Sequence, residues 1–414
     1  MLLPKIIQWI GWCLAALATV LYAYQVVYLF IPFFVKRKPL KPAKPHRFAI
    51  LIAARNEAAV LPDLLESIRR QDYPEELRDV WVIADNCTDD TAECAARMGA
   101  RVVTRQDDTH IGKGYALNTL LEHIRHTGHE YDAYLVIDAD NVLRHDYLTQ
   151  MNITCSQGYD VFCSYRNSKN FGTNLVSAGH SIWYIHDSTH LNNSRSRLGV
   201  PCMINGTGFG FTASLLKRCG GWNFFTLTED LEFTTWCATH GIRVGYNHDA
   251  IFYDEQPVKF RQSCRQRTRW VQGGIQLGMR GIRQYLHGLS RGGMTAYATV
   301  EALSFCIWGY LCGIIGGFCT LLSILLLYGF GSLLINALTA VLTALLFTLL
   351  VGTLTVITEW DRIYATKAQK LMGIIAFPFF MLTYIPIAIG AIFRKYSWPP
   401  IEHTVRLSAE EIRK

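Results

Sequence analysis

Two apolar regions bracket a polar centre, and they restrict this chain more than any other feature. Residues 6–35 form an apolar run that ends in the basic, proline-rich KRKPLKPAKPHR. After residue 284 come three more apolar blocks, 297–328, 332–357 and 371–393. A helix of about 20 apolar residues spans a bilayer, and each block is long enough. The first run is too long for a signal peptide and lacks a small-residue cleavage site. The expected plan is a transmembrane helix over 1–35, a basic linker over 36–46, a folded domain with an interfacial helix over 47–284, transmembrane helices over 285–393 and a tail over 394–414. Basic residues after the first helix place the domain in the cytoplasm. The last block has basic residues on both flanks (Lys367 and Lys370, then Arg394 and Lys395) and contains Pro378 and Pro386, so it reads as re-entrant or interfacial.

Between the apolar regions the pattern alternates. RFAILIAA, VWVIAD, RVVTR, AYLVID and DVFCSY are short β-rich runs. Helical patterns lie between them, as in EAAVLPDLLESIRRQ, DDTAECAARMGA and GKGYALNTLLEHIRH. Strands alternating with helices predict an α/β domain, a mostly parallel sheet with helices on both faces. In such sheets ligands bind beyond the carboxyl ends of the strands.

Those strand ends carry polar groups: Ala53-Ala54-Arg55-Asn56-Glu57, Ala84-Asp85-Asn86-Cys87 and Asp138-Ala139-Asp140. A single aspartate there has an ordinary reading as a helix cap. Three such ends on one sheet edge point instead to a shared site. Two carboxylates two residues apart suit a hard cation, magnesium or manganese, that keeps positions for phosphate oxygens. Lys113 in His110-Ile111-Gly112-Lys113-Gly114 opens a helix that can meet phosphate, although the P-loop spacing is absent. Asn205-Gly206-Thr207-Gly208-Phe209-Gly210 is glycine-rich, but no βαβ unit with an acidic ribose partner follows, which excludes hydride chemistry. Asp230, in Thr228-Glu229-Asp230, opens a helix. It is either a first-turn residue favoured by the helix dipole or a general base. Gln266-Arg267-Thr268-Arg269-Trp270 stands beside the apolar region, as an interfacial anchor or as a phosphate- and sugar-holding motif.

Other classes fit less well. The net charge of +7 comes without a basic, aromatic-interleaved run, so nucleic acid is not an expected partner. The twelve cysteines include no CxxC pair, which fits a reducing compartment. His186 and His190 share one helix face, but no third ligand accompanies them.

With these motifs in order, the chain resembles the membrane-embedded family 2 glycosyltransferases, which include cellulose, hyaluronan and poly-N-acetylglucosamine synthases. The resemblance runs from Phe48 to Trp270 and reaches the apolar helices on both sides; TED together with QRTRW is its most specific part. It implies a GT-A fold flanked by transmembrane helices, a UDP-sugar donor and inversion at the anomeric carbon. It places Asn56, Glu57 and Asp85 around the nucleoside and Lys113 near the nucleotide or diphosphate. Asp138 and Asp140 would hold nucleotide and metal (Mg2+ or Mn2+). Asp230 would be the catalytic base and Arg269 would reach the diphosphate. Glu229, Gln266 and Trp270 would lie on the acceptor side. Where cellulose synthases carry a cysteine-containing acceptor segment, this chain reads MINGTGFGFT. The C-terminal WPPIEHT is a further, weak likeness.

The expected function is a cytoplasmic-facing synthase that extends a β-linked glycan and passes it through its membrane helices, with an accessory export subunit as a partner. Transfer of one sugar to a lipid, as in ceramide glucosyltransferases, uses much of the same motif set. An idle polysaccharide-binding subunit would not need DAD, TED and QRTRW. A transporter would carry more polar residues within its spans than Glu301 and Asn336.

Overall fold

The computed structural model describes residues 2–394, so the tail with WPPIEHT lies outside the described residues. Eight strands form one sheet: β1 (Phe48–Ala54), β2 (Arg78–Asp85), β3 (Arg101–Arg105), β4 (Ala133–Val136), β5 (Val142–Leu143), β6 (Val161–Ser168), β7 (Phe209–Thr212) and β8 (Val244–Asp254). Their order is β3-β2-β1-β4-β7-β6-β8-β5. The first four strands of that order are mutually parallel, β7 runs antiparallel to both neighbours, and β6 and β8 are parallel.

Helices cover both faces, as the alternation predicts. Along β1, Ala49 and Leu51 enter one core with Leu117, Leu120 and Ile124 of helix Lys113–Thr127. Phe48, Ile50 and Ile52 enter the other with Leu61, Leu64, Leu148 and Met151. This is the two-residue period of a strand buried on both sides.

The apolar helices pack against one another and return to the domain. In helix Leu2–Phe34, Tyr22, Leu14 and Gly11 lie beside Gly309, Gly316 and Thr320 respectively, an antiparallel pairing. The element Ile307–Thr358 is two helices joined at Gly329, whose φ of 81° is non-helical. Its far end comes back to the domain, where Thr355 meets His186 and Glu359 accepts a hydrogen bond from Tyr165 at 3.2 Å. Gly329 falls in the gap expected between the first two C-terminal blocks.

The last block forms helices Lys367–Leu382 and Tyr384–Phe393. Gln369 near its start donates to the Gly172 carbonyl at 2.8 Å, and Gln272 of the domain donates to the Arg394 carbonyl just past its end at 2.6 Å. Both ends of this block therefore hold onto the domain. By length and apolarity, Leu2–Phe34, Trp308–Thr358 and Lys367–Phe393 can each cross a membrane.

A buried ion pair fastens the first helix. Arg195 and Glu301 meet at 2.7 Å with essentially no exposure, and Tyr28 donates to Glu301. His190 spends its Nδ1 on the Leu29 carbonyl at 2.9 Å. His186 and His190 are both buried, and His186 meets Thr355.

Candidate active site

A cavity of about 230 Å³ opens where the sheet edge meets the apolar helices. Its sheet side is lined by Lys113, Asp138 and Arg166, and its floor by Asn205 and Gly206. Thr228, Glu229 and Asp230 form one wall, and Gln266, Arg269 and Trp270 form another. Aromatic residues Trp183, Tyr310 and Tyr384 close the side toward the apolar helices.

The QRTRW segment lies within helix Phe260–Arg280. Gln266, Arg269 and Trp270 are spaced i, i+3, i+4, so one helix face presents all three to the cavity. Arg267 points elsewhere. It is fully buried, stacks over Phe380 and Tyr384, and donates to Thr383 at 2.6 Å. Trp270 is held edge-on by His180 and Tyr184. His180 stays neutral, its pKa lowered to about 3 by burial and then by Arg267 and Arg166. The same helix presses on the TED turn through Gly273, where any side chain would collide with Thr228.

TED opens helix Glu229–His240. Glu232 takes the structural role at this helix start, accepting from the backbone N–H groups of Phe225 and Thr226, both at 2.8 Å. Asp230 has no hydrogen-bond donor on its carboxylate among the described residues, and it faces the cavity. Gly206 lies beside it, a Cβ there standing 3.8 Å from Asp230 Oδ2, and the φ of +74° at that position selects glycine. Glu229 is buried beside Asp230. Burial first and the Asp230 charge second raise its pKa to about 7, against the pull of Lys113 and Arg269.

On the sheet side, Lys113 donates to Asp138 and, at 2.7 Å, to the Gly206 carbonyl. Burial alone would lower the ammonium pKa, but Asp138, Glu229 and Asp230 together raise it. Asp138 N–H donates to Thr207 Oγ1 at 2.8 Å, and Thr207 donates to Asn141 at 2.7 Å, so the DAD turn is fastened to the glycine-rich turn. Asp140 is buried and accepts from Asn141 at 3.0 Å.

Asn56, Glu57, Asp85 and Asp140 are not on the cavity wall. Asn56 and Glu57 follow β1, and Asp85 ends β2, one strand further along the same edge. Asn56 and Asn86 both have positive φ, a conformation asparagine tolerates. Asn56 Oδ1 accepts from Thr88 N–H at 2.8 Å, tying the two strand ends together. Asp85 pairs with Arg105 at 2.6 Å, and burial raises its pKa despite that partner.

Arg166, Tyr184 and Asp187 were not singled out in the sequence as site residues, and Asn205 stood out only as part of the glycine-rich run. Arg166 was the detectable one, a cation directly after the β-rich run DVFCSY, at a strand end. Its guanidinium sits 3.6 Å from the Tyr184 ring centre and pairs with the buried Asp254.

The model of the family described as "Glycosyltransferase like family 2" matches residues 45–273, more than half of the chain. The chain belongs to that family. The β-monoglucosyldiacylglycerol synthase of Nostoc sp. is 28% identical over 244 residues, 55% of this chain and 49% of the relative. The poly-β-1,6-N-acetyl-D-glucosamine synthase of Staphylococcus epidermidis is 26% identical over 266 residues, 62% of this chain and 63% of the relative. The chain spans about half the length of the glucolipid synthases it matches. Among solved structures, the mannosyltransferase PcManGT from Pyrobaculum calidifontis, in complex with GDP-Man and Mn2+, superposes with a TM-score of 0.58 at 16% identity, over 92% of this chain and 98% of that one. That likeness establishes the fold, the expected mostly parallel sheet covered by helices and joined to apolar helices.

Proposed function

We propose that this glycosyltransferase works at a membrane surface, moving a hexosyl group from a UDP-sugar to the hydroxyl of a lipid acceptor with inversion. The observation that carries the transfer chemistry is the single cavity joining the Lys113–Asp138 pair at the strand ends to Asp230, Arg269 and Trp270. The acceptor oxygen attacks the anomeric carbon while its proton passes to Asp230. The bond from that carbon to the diphosphate breaks, and UDP leaves with the electron pair. Lys113 and Arg269 offset the charge on the leaving diphosphate. Trp270 offers the acceptor a flat apolar face. Asn56, Glu57 and Asp85 hold the nucleoside beyond the cavity, at the next strand ends; Glu229 and Gln266 face the acceptor.

The donor set at DAD fits a hard cation. Asp138 and Asp140 supply only oxygen, and Asp138 keeps about a third of its side chain exposed. With no third protein ligand among the described residues, substrate oxygens would complete the sphere, as magnesium and manganese accept. Bound there, such an ion would neutralise diphosphate charge. The complex of the mannosyltransferase PcManGT with GDP-Man and Mn2+ supports this assignment.

An apolar groove favours the lipid acceptor. It lies between helices Leu175–His186 and Lys367–Leu382 and is lined by Leu175, Met372, Ile375, Phe379 and Phe380. Phe380 touches Tyr384 of the cavity wall, so hydrocarbon and reacting head group would sit side by side. The glucosyldiacylglycerol synthases among the relatives support this reading. Glycan extension is the second reading, supported by the poly-N-acetylglucosamine synthases, of which the chain covers a larger share. Helices Leu2–Phe34 and Ile307–Thr358 would cross the membrane, the latter as a hairpin at Gly329. Lys367–Phe393 would lie along the interface, leaving the domain in the cytoplasm. Purified protein in nanodiscs with labelled UDP-glucose and ceramide, a lipid with two free hydroxyls, followed by product sizing, tests the proposal. One-sugar lipid is expected; polymer selects the second reading; no lipid or polymer product from any UDP-sugar overturns both.

A further inference from the structure

The cavity wall also holds a carboxylate that the transfer chemistry above does not use. Helix Leu175–His186 widens at its end into a π-helical stretch, Asp187–Asn192, and its first residue, Asp187, lines the cavity. Single π turns often accompany functional sites, because they re-aim one side chain without ending the helix.

Asp187 is buried, and its hydrogen bonds are one-sided. Asn205 and Asn192 (the latter at 3.3 Å) both donate to Oδ2. No donor among the described residues reaches Oδ1, and Oδ1 is not among the buried unpartnered atoms, so it faces the cavity. A carboxylate needed only to anchor the chain would engage both oxygens, given the cost of an unmet buried charge. Burial raises its pKa to about 6, against Arg195 and Arg166, so the group is mainly an ionised acceptor at neutral pH.

Its place in the cavity identifies what it meets. Asn205-Gly206 crosses the floor. The Gly206 carbonyl accepts from Lys113 on the donor side, while the Asn205 side chain holds Asp187 on the far side. Asp230 Oδ2 lies beside Gly206 on this floor. Arg166 joins the row by donating to the Asn205 carbonyl at 3.0 Å. Asp187 and Lys113 are therefore held by successive residues of the Asn205–Gly206 turn, and Asp187 is bonded through Asn205 rather than through the donor-side Gly206 carbonyl.

We infer that Asp187 is an acceptor-reading residue, its free oxygen taking the hydrogen of a second hydroxyl next to the nucleophilic one, so that the site selects diol or polyol head groups over mono-alcohols. This rests on the transferase reading and adds a specificity to it. A site built to bind a hydroxyl discriminates against the analogue lacking it, because the buried partner is left unpaired.

The test uses full-length protein in nanodiscs, with UDP-glucose as donor. The acceptors are hexadecane-1,2-diol and 1-hexadecanol. The wild type should favour the diol by at least about tenfold in kcat/KM, the scale of one lost buried hydrogen bond. Asp187→Asn and Asp187→Ala should collapse that ratio toward one, mainly by raising KM for the diol. Acceptor-independent UDP release should stay within about twofold, on the scale of a change well under 1 kcal/mol. An unchanged ratio in both variants overturns the assignment. So does joint loss of ratio and UDP release, the signature of a collapsed cavity. Absence of any UDP release from the wild type would instead sink the transferase reading itself, and the inference with it.

Discussion

Arg269 Nη1 donates to the Leu227 carbonyl at 3.1 Å, three residues before Asp230. The arginine of QRTRW is thereby joined to the turn that presents the proposed base. A guanidinium presents its N–H donors in a planar fork, the geometry that matches diphosphate oxygens. Arg269→Lys should keep the charge and lose the planar fork. Steady-state kinetics should show kcat/KM for the UDP-sugar falling at least about tenfold, the size of one charge-assisted hydrogen bond. Wild-type kinetics in Arg269→Lys would reduce the residue to a point charge.

Trp270 is assigned to the acceptor. Trp270→Ala removes the stacking face and leaves Asp230 in place. Acceptor KM should rise, while UDP-sugar affinity and slow hydrolysis to water persist. If product yield and acceptor KM are unchanged, QRTRW is only an interfacial anchor.

The carboxylates of DAD give a metal prediction. Chelation should abolish transfer, and magnesium or manganese should restore it. Asp138→Asn should weaken UDP-sugar binding in isothermal titration with either ion, because the charge that balances Lys113 and the ion is lost. Full activity in chelator would remove the ion from the reaction.

Glu229 gives a pH dependence of stability. Its folded pKa of about 7 stands above an ordinary value of 4.5. The folded state thus binds more protons than the unfolded state within that window, and its stability falls as pH rises from 4.5 to 7. Glu229→Gln cannot ionise. Thermal unfolding in detergent should therefore show a smaller drop in Tm between pH 5 and pH 7.5 than the wild type shows. Equal drops would place the carboxyl in a better solvated setting.

Much of this site was legible because it follows local rules. Five β-rich runs became strands, and the edge where they end is where Lys113 and Asp138 meet. The i, i+3, i+4 spacing of Gln266, Arg269 and Trp270 needed only a helix to converge. β5, β7 and β8 were not legible. β5 has two residues, and β7 hides in a glycine-rich run whose composition suggests a loop. β8 includes Asn247, His248 and Asp249, polar residues that blur a strand pattern. Asp187 was hidden for a different reason. Its aim depends on a π turn, and no residue pattern within HSIWYIHDSTHLNN announces one. The return of the last apolar block to the domain rests on single hydrogen bonds, Gln369 to Gly172 and Gln272 to Arg394, across long separations. The basic flanks and two prolines gave only its outline.

The central claim is that Asp230 is the base in a sugar transfer at the membrane surface. The most direct measurement compares wild type and Asp230→Asn in nanodiscs, recording transfer of labelled sugar from a UDP-sugar to acceptor together with UDP-sugar affinity. Loss of a general base costs on the order of 10²- to 10⁴-fold in rate. The account predicts a fall of that size with donor affinity within about twofold, since a base on the acceptor side adds no uniform binding to the donor. Transfer by Asp230→Asn at the wild-type rate would contradict it.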